Sequence, residues 1–399
     1  MTITFFGLIW FLLLLYLLFK KDIIDITTIL FISMVLQCNN VVIIGDKGIG
    51  PQIITSIYYV FSIFIVPRNK VVIKSRITKP FVILLFIFCV YVLFNVLYLN
   101  SLTEQFQDIT MLFVYILTCI CLFNIRNCFT DDKIWKMVCF LYKFLLIVGF
   151  LQFLVTSKIL PKWFLTELFF NDNSENIYFH APYPYYRVMS TFMEPSYFSG
   201  IFSGLLVGII LNKSKLKHAG IYIFGGLLEI VLTVSTTAYI TLASGFIILI
   251  LLDNSRNKLL KYMPYLFLLL LFAYFAWDTL LSDVVFNKLE SNSGIERQSW
   301  NIKAFEEFLL NPSLGCGYIG VRASSLLLTI LANLGFVGMG FYLSAIIAGL
   351  YPVFLENKNR MVILSRLIML CVIISQFVAC PDLTLCTFWL STYLVMMTG

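Results

Sequence analysis

Apolar runs separated by short charged stretches repeat along the whole chain. Most runs are about 17–22 residues, the length a helix needs to cross a bilayer. They fall at 2–19, 24–44, 51–67, 80–99, 108–125, 136–156, 195–212, 219–235, 237–252, 262–280, 325–352, 361–379 and 383–397. No water reaches the bilayer core, so such a run satisfies its own backbone by forming a helix. The short alternating segments of a membrane β-barrel are not seen. The pattern therefore predicts an all-α fold, a polytopic helical integral membrane protein of about 12–13 transmembrane helices. The 219–252 stretch reads as two short spans or a re-entrant pair, with Ser235-Thr236-Thr237 at the turn. A similarly tight turn follows at Cys380-Pro381-Asp382.

Composition supports this reading. The 399 residues are 60% hydrophobic and 12% charged, with a mean hydropathy of +0.93. A soluble domain carries about 25% charged residues. The first run lacks a basic start and a small-residue cleavage site, and Lys20-Lys21 follow it, so it reads as a retained span. The ten cysteines lie mostly inside apolar runs and form no CxxC; Cys380 and Cys386 flank a short turn and read as free thiols.

The net charge of +7 does not point to nucleic acid. Lys20-Lys21, the basic stretch 68–79, Arg126 with Lys133 and Lys136, Lys213-Lys215-Lys217, Arg256 with Lys258 and Lys261, and Lys358-Arg360 occupy inter-span loops on one side. Excess Lys and Arg mark the cytoplasmic side. Two long loops, about 157–194 and 281–324, then face the opposite side. Loops of that length are uncommon unless functional. No internal repeat or matched pair of broken helices is visible, which argues against a secondary transporter.

The first long loop carries the candidate chemistry. His180-Ala-Pro-Tyr-Pro-Tyr-Tyr186-Arg187 is rich in aromatics, which suit sugar rings and equally suit a membrane interface. Arg187-Val-Met-Ser-Thr-Phe-Met-Glu194-Pro195-Ser196 then enters an apolar helix, with Pro195 placed for the first helical position. Charges at the edge of hydrocarbon are costly and invite a functional explanation. Glu194 serves either as a cap for that helix or as a reacting carboxylate. Arg187 pairs with Glu194, with a lipid phosphate or with a substrate anion.

In the second loop, Trp300, Ala304, Phe305 and Phe308 have the spacing of a short amphipathic helix, stopped by Asn311-Pro312. Such a helix is expected on the membrane surface. Arg297 is placed in or just before its first turn, where a bound anion or a carboxylate partner is expected. Gly315-Cys-Gly317-Tyr-Ile-Gly320 reads as a flexible turn leading to Arg322. Within spans, Glu229 lies mid-helix as a buried structural partner or near the active cavity, Lys143 is also intramembrane, and Asp278 and Arg366 sit near span ends, where they snorkel or stay solvated. There is no HExxH, no Cys/His metal cluster, no GxSxG and no outward DxD, so a zinc or Ser-His-Asp mechanism has no support.

The ordered segments Arg187-x-x-Ser190-Thr191-Phe192-x-Glu194-Pro195-Ser196-x-Phe198, Leu232-Thr233-x-Ser235-x-Thr237, Arg297-x-x-Trp300, Asn311-Pro312-x-Leu314-Gly315-x-Gly317 and Leu334-Gly335-Phe336-Val337-Gly338 together resemble the O-antigen polymerases. The resemblance covers roughly residues 185–345 in motifs and the whole chain in span layout. The related O-antigen ligases are expected to carry a histidine before the next span. Here that stretch is Val321-Arg322-Ala-Ser-Ser-Leu, which favours a polymerase.

The resemblance implies metal-independent glycosyl transfer at the periplasmic face of the bacterial inner membrane, without a cofactor. The growing glycan passes from undecaprenyl diphosphate onto a second undecaprenyl-diphosphate-linked oligosaccharide. It implies Arg187 and Arg297 on the diphosphates and Glu194 as general base or arginine-orienting group. Arg322, His180, Tyr186 and Trp300 are then substrate contacts. Membrane lipid surrounds the protein, a separate chain-length regulator is an expected partner, and no nucleic acid is. An O-antigen ligase, a capsule or exopolysaccharide polymerase of the same superfamily, and a polysaccharide flippase are the competing readings.

Overall fold

The computed structural model describes residues 2–45, 47–65, 79–99, 102–161, 163, 165, 169, 187–252, 258–276, 292–354 and 359–398. Among them the chain forms fourteen α-helices and one small sheet. In order these are β1 (Thr2–Ile3), α1 (Phe5–Lys20), α2 (Ile23–Val35), β2 (Val42–Ile44), β3 (Lys47–Ile49), α3 (Pro51–Ile65), α4 (Lys79–Tyr98), α5 (Leu102–Ile125) and α6 (Asp131–Thr156). Then come α7 (Pro195–Leu211), α8 (Ala219–Leu232), α9 (Thr236–Leu252), α10 (Lys258–Ala276), α11 (Asn292–Leu310), α12 (Leu326–Leu350), α13 (Arg360–Val378) and α14 (Cys386–Thr398).

Each apolar run of the sequence holds a helix, and α11 is the expected amphipathic one. Among the described residues, five helical stretches are long and apolar enough to cross a membrane: Pro80–Tyr98, Asp108–Cys128, Asp131–Thr156, Leu326–Leu350 and Arg360–Val378. α1, α2, α3, α7, α8, α9 and α14 are apolar but shorter. Large apolar side chains such as Phe64, Phe267 and Leu270 stand exposed, as on a surface bathed in lipid.

One expected span is shortened. The run 24–44 is helical only to Val35, and Val42–Ile44 instead pair antiparallel with β1 and β3, Thr2 opposite Ile43 and Ile43 opposite Gly48. The Thr4 hydroxyl donates to the Asn40 carbonyl (2.6 Å), which pins the returning chain to the start of α1.

α7 is buried at every residue from Ser196 to Ile210. It packs against α13 and α9. Gly200, Gly204 and Gly208 recur every four residues toward α13, and a Cβ on Gly204 would stand 2.7 Å from the Ile368 Cα. Small residues at this spacing let two backbones approach closely. The N-terminal end of α7, where Glu194 sits, is thereby held close against α13. Arg366 of α13 does not snorkel: it is 1% exposed and donates to the Gly349 carbonyl, Ser365 and Thr398.

α12 is broken at Gly335 (φ 65°, ψ −169°), a backbone conformation essentially reserved for glycine. Several of the groups stranded by the break find partners elsewhere. Tyr91 of α4 donates to the Leu334 carbonyl (2.8 Å), and the 312–317 loop supplies the rest.

Candidate functional site

The segment from Arg187 to Glu194 is held from several sides. The Val188 N–H donates to the Leu232 carbonyl at the end of α8 (3.0 Å). The N–H groups of Met189 and Ser190 share the Gln152 Oε1 of α6 (both 2.9 Å). The Ser190 hydroxyl donates to the Leu145 carbonyl, and the Thr191 hydroxyl to that of Val35. The Ser-Thr pair is thus positioning chemistry: it fastens the loop to α6 and α2.

Arg187 sits beside the turn between α8 and α9. Its Nε donates to the Thr233 carbonyl (3.2 Å) and its Nη2 to that of Val234 (2.8 Å). Val234 has φ 46°, a left-handed conformation that a β-branched residue rarely adopts. The guanidinium fork therefore clamps a strained turn. Burial lowers the pKa of Arg187 from its ordinary value; the nearby Glu194 carboxylate opposes that shift and Arg297 adds to it. The structure thus gathers Arg187, Glu194 and Arg297, although no ion pair between Arg187 and Glu194 forms among the described residues.

Glu194 occupies the N-cap position of α7, where its carbonyl accepts from the Tyr197 and Phe198 N–H groups. Its side chain does not cap the helix; Oε2 instead accepts from the Ser196 hydroxyl (3.0 Å). The carboxylate also lines a cavity of about 500 Å³. Asp108, Tyr197, Tyr318, Arg322, Asn333 and Asp382 stand in the same wall. Asp382, in the turn between α13 and α14, accepts from the Tyr197 hydroxyl (2.7 Å).

The second loop differs from its sequence reading in two respects. α11 begins at Asn292, so Arg297 lies in its second turn rather than its first. The buried face of α11 carries Ala304 and Phe308, with Trp300 half-buried, while Phe305 is exposed. Phe308 meets Phe336 edge-on, ring centroids 4.9 Å apart. The Asn301 carboxamide oxygen accepts from the N–H and hydroxyl of Ser324 (both 2.9 Å). Arg322 lies 5.2 Å from the centre of the Trp300 ring, a cation–π contact. Trp300 therefore orients Arg322. Arg322 lines the Glu194 cavity, whereas Arg187 and Arg297 are not among its lining residues.

The glycine turn is pinned rather than flexible. Gly315 (φ 76°) and Gly335 (φ 65°) cross backbone to backbone, so that a Cβ on Gly335 would stand 2.7 Å from the Leu314 N. The N–H groups of Cys316 and Gly317 donate to the carbonyls of Ala332 and Asn333, and those of Phe336 and Val337 to Pro312 and Ser313. The Asn95 side chain of α4 donates to the Leu314 carbonyl and accepts from the Tyr318 N–H. Tyr318 is thereby set in the cavity wall. Burial, and then Asp108, Cys89 and Asp382, push its phenol pKa upward.

His180 and Tyr186 lie outside the described residues, as does Asp278. Glu229 does not pair with a Ser, Thr or Lys: neither carboxylate oxygen has a hydrogen-bond partner among the described residues. It packs on Gly149 and lines a separate apolar cavity of about 410 Å³ between α6 and α8. Lys143 rests 4.7 Å from the centre of the Tyr222 ring. The sequence did not single out Asp108, Tyr197, Tyr318 or Asp382 as site residues. Tyr197 and Asp382 touch across 185 residues of chain, and no local pattern signals such a pairing. No group of three or more His, Cys, Asp and Glu that would hold a metal occurs among the described residues.

Set against protein-family models and curated proteins, the chain matches none of them.

Proposed function

We propose that this chain is a membrane glycosyltransferase that polymerises O-antigen repeat units at the periplasmic face of the bacterial inner membrane. The observation that carries the reading is the position of Glu194. Its carboxylate is close enough to act on Arg187, which also feels Arg297, and it borders a cavity that takes a sugar-sized ligand.

In the proposed reaction an acceptor sugar hydroxyl attacks the anomeric carbon of the donor glycan. The new C–O bond forms as the anomeric carbon–phosphate oxygen bond breaks, and the electron pair leaves with undecaprenyl diphosphate. Glu194 takes the acceptor hydroxyl's proton, a role that needs a carboxylate within hydrogen-bond reach and free of a capping bond. Arg297 and the part of Arg187 not clamped to the Val234 turn stabilise charge gathering on the diphosphate. Preorganised donors of this kind are worth about 3–4 kcal/mol each in comparable sites. Arginine supplies this charge without a metal.

Orientation follows from the positive-inside distribution of Lys and Arg, which places both long loops outside. The Arg322 stretch lacks the histidine expected of a ligase. Deletion of the gene, complemented with Arg297→Ala or Glu194→Gln, tests the reading. The expected product is lipid core capped with a single repeat unit and no long chains. Uncapped core identifies a ligase, and normal chain lengths with both variants refute the site.

A further inference from the structure

Charge is unevenly distributed around Glu194. Arg187, which feels both the Glu194 carboxylate and Arg297, does not line the 500 Å³ cavity that Glu194 borders, and neither does Arg297. That cavity is walled by Asp108, Glu194 and Asp382, with Arg322 as the one basic residue among the described residues that line it. Such a wall disfavours a diphosphate and suits hydroxyl donors. A second, independent feature points to a ligand. The Tyr318 side chain is 2% exposed and lines this cavity, and among the described residues only its backbone N–H is hydrogen-bonded, to Asn95. Its hydroxyl is thus left to pair with a ligand oxygen in the cavity. Asp382 is held in place by Tyr197 through one carboxylate oxygen, which leaves the other to receive a donor.

We infer that the cavity is the acceptor-sugar subsite: Asp108 and Asp382 accept hydrogen bonds from ring hydroxyls, Tyr318 bonds a sugar oxygen, and the carboxylate wall selects uncharged or amino sugars over acidic ones. The inference rests on the glycosyl-transfer reading above. It assigns the two substrates to opposite faces of one carboxylate. The donor diphosphate lies toward the arginines and the acceptor ring toward Asp382, with Glu194 between them to receive the acceptor's proton.

Two probes test it on the full chain in lipid nanodiscs. One is the free repeat-unit oligosaccharide, released from the host's own lipid-linked repeats by mild acid. The other is farnesyl diphosphate. Asp382→Asn and Asp108→Asn are each expected to weaken oligosaccharide binding about tenfold, the scale of one hydrogen bond to a charged group, and to leave farnesyl diphosphate binding unchanged. Arg297→Ala is expected to do the reverse. Oxidising the terminal sugar of the oligosaccharide to a uronic acid weakens binding to the native chain, and Asp382→Asn reduces that penalty. Oligosaccharide binding unaltered in both aspartate variants, while Arg297→Ala still loses farnesyl diphosphate, overturns the subsite and leaves the transfer reading standing. Failure of the native chain to bind either probe overturns both. Should the aspartate variants lose the fold, Tyr318→Phe decides, since it removes one oxygen and no volume: equal oligosaccharide affinity in that variant overturns the subsite.

Discussion

The Val234 turn between α8 and α9 and the Gly335 break within α12 are closed by different means. At Val234 a left-handed β-branched residue is held by a side chain, the Arg187 fork on two carbonyls. At Gly335 two glycine-bearing backbones cross, and four main-chain hydrogen bonds run between them. The first closure spends a candidate reacting group on structure. The second needs no charge at all and leaves Arg322 and Tyr318 to face the cavity. The difference teaches that Arg187 and Arg297 are not equivalent, although the sequence gives them the same type of loop and the same residue. Arg187 clamps the Val234 turn through two carbonyls, whereas no such clamp involves Arg297 among the described residues.

The largest expected effect is at the backbone crossing. Gly335→Ala places a Cβ against the backbone of Ser313 and Leu314 in a glycine-only conformation. Strain of this kind costs about 1–3 kcal/mol before the collision is added, so folded protein in the membrane should fall to near zero. Size-exclusion profiles of the fluorescently tagged variant measure this, and a native profile would show the crossing to be slack.

Arg297→Ala comes next. It should reduce polymer formation about 10²–10³-fold, the cost of removing one preorganised donor to a developing oxyanion, with little change in thermal stability. Arg297→Lys separates charge from geometry; recovery of full activity would show that the bidentate fork is not needed.

Arg187→Lys should lower both activity and stability. Lysine cannot span the Thr233 and Val234 carbonyls, and hydrogen bonds from a charged group are worth about 1.5–3 kcal/mol each. A thermal midpoint equal to that of Arg297→Ala would erase the distinction between the two arginines. The smallest effect is favourable. Val234→Gly relieves the positive φ and should raise stability by up to about 1 kcal/mol with activity kept, read as a shift in thermal midpoint. A loss of stability would mean that the Val234 side chain contributes more through packing than its strain costs.

Much of the fold was legible because span length and hydropathy are properties of single helices. Runs such as 136–156 and 361–379 were located within a few residues. The Arg187–Ser196 and Arg297–Trp300 segments were legible as candidate sites because their charges stood out beside apolar sequence. What stayed hidden depends on where distant segments meet. Val42–Ile44 is as apolar as any span, and its pairing with Thr2–Ile3 and Lys47–Ile49 takes it out of one. The Gly315–Gly320 turn read as flexible, yet Gly315 is needed because the Asn333–Leu334 backbone lies against it, as Gly335 is because of Ser313–Leu314. Gln152 and Asn95, single polar residues within apolar runs, fasten the two loops, and nothing local in the sequence marks them for it. Asp382 seemed a turn residue; the fold carries it to Tyr197 and the rim of Glu194. Arg366 near a span end suggested solvation, and helix packing buried it.

The central claim is that Glu194, between the arginines and the acid-walled cavity, serves transfer from a diphosphate leaving group. Purified protein in nanodiscs, supplied only with undecaprenyl-diphosphate-linked repeat units, tests it most directly. The account predicts a ladder of lengthening lipid-linked glycans, one undecaprenyl diphosphate released for each repeat added, and no ladder with Glu194→Gln or Arg297→Ala. Native protein that yields no ladder, or variants that yield the same ladder as the native chain, would contradict it.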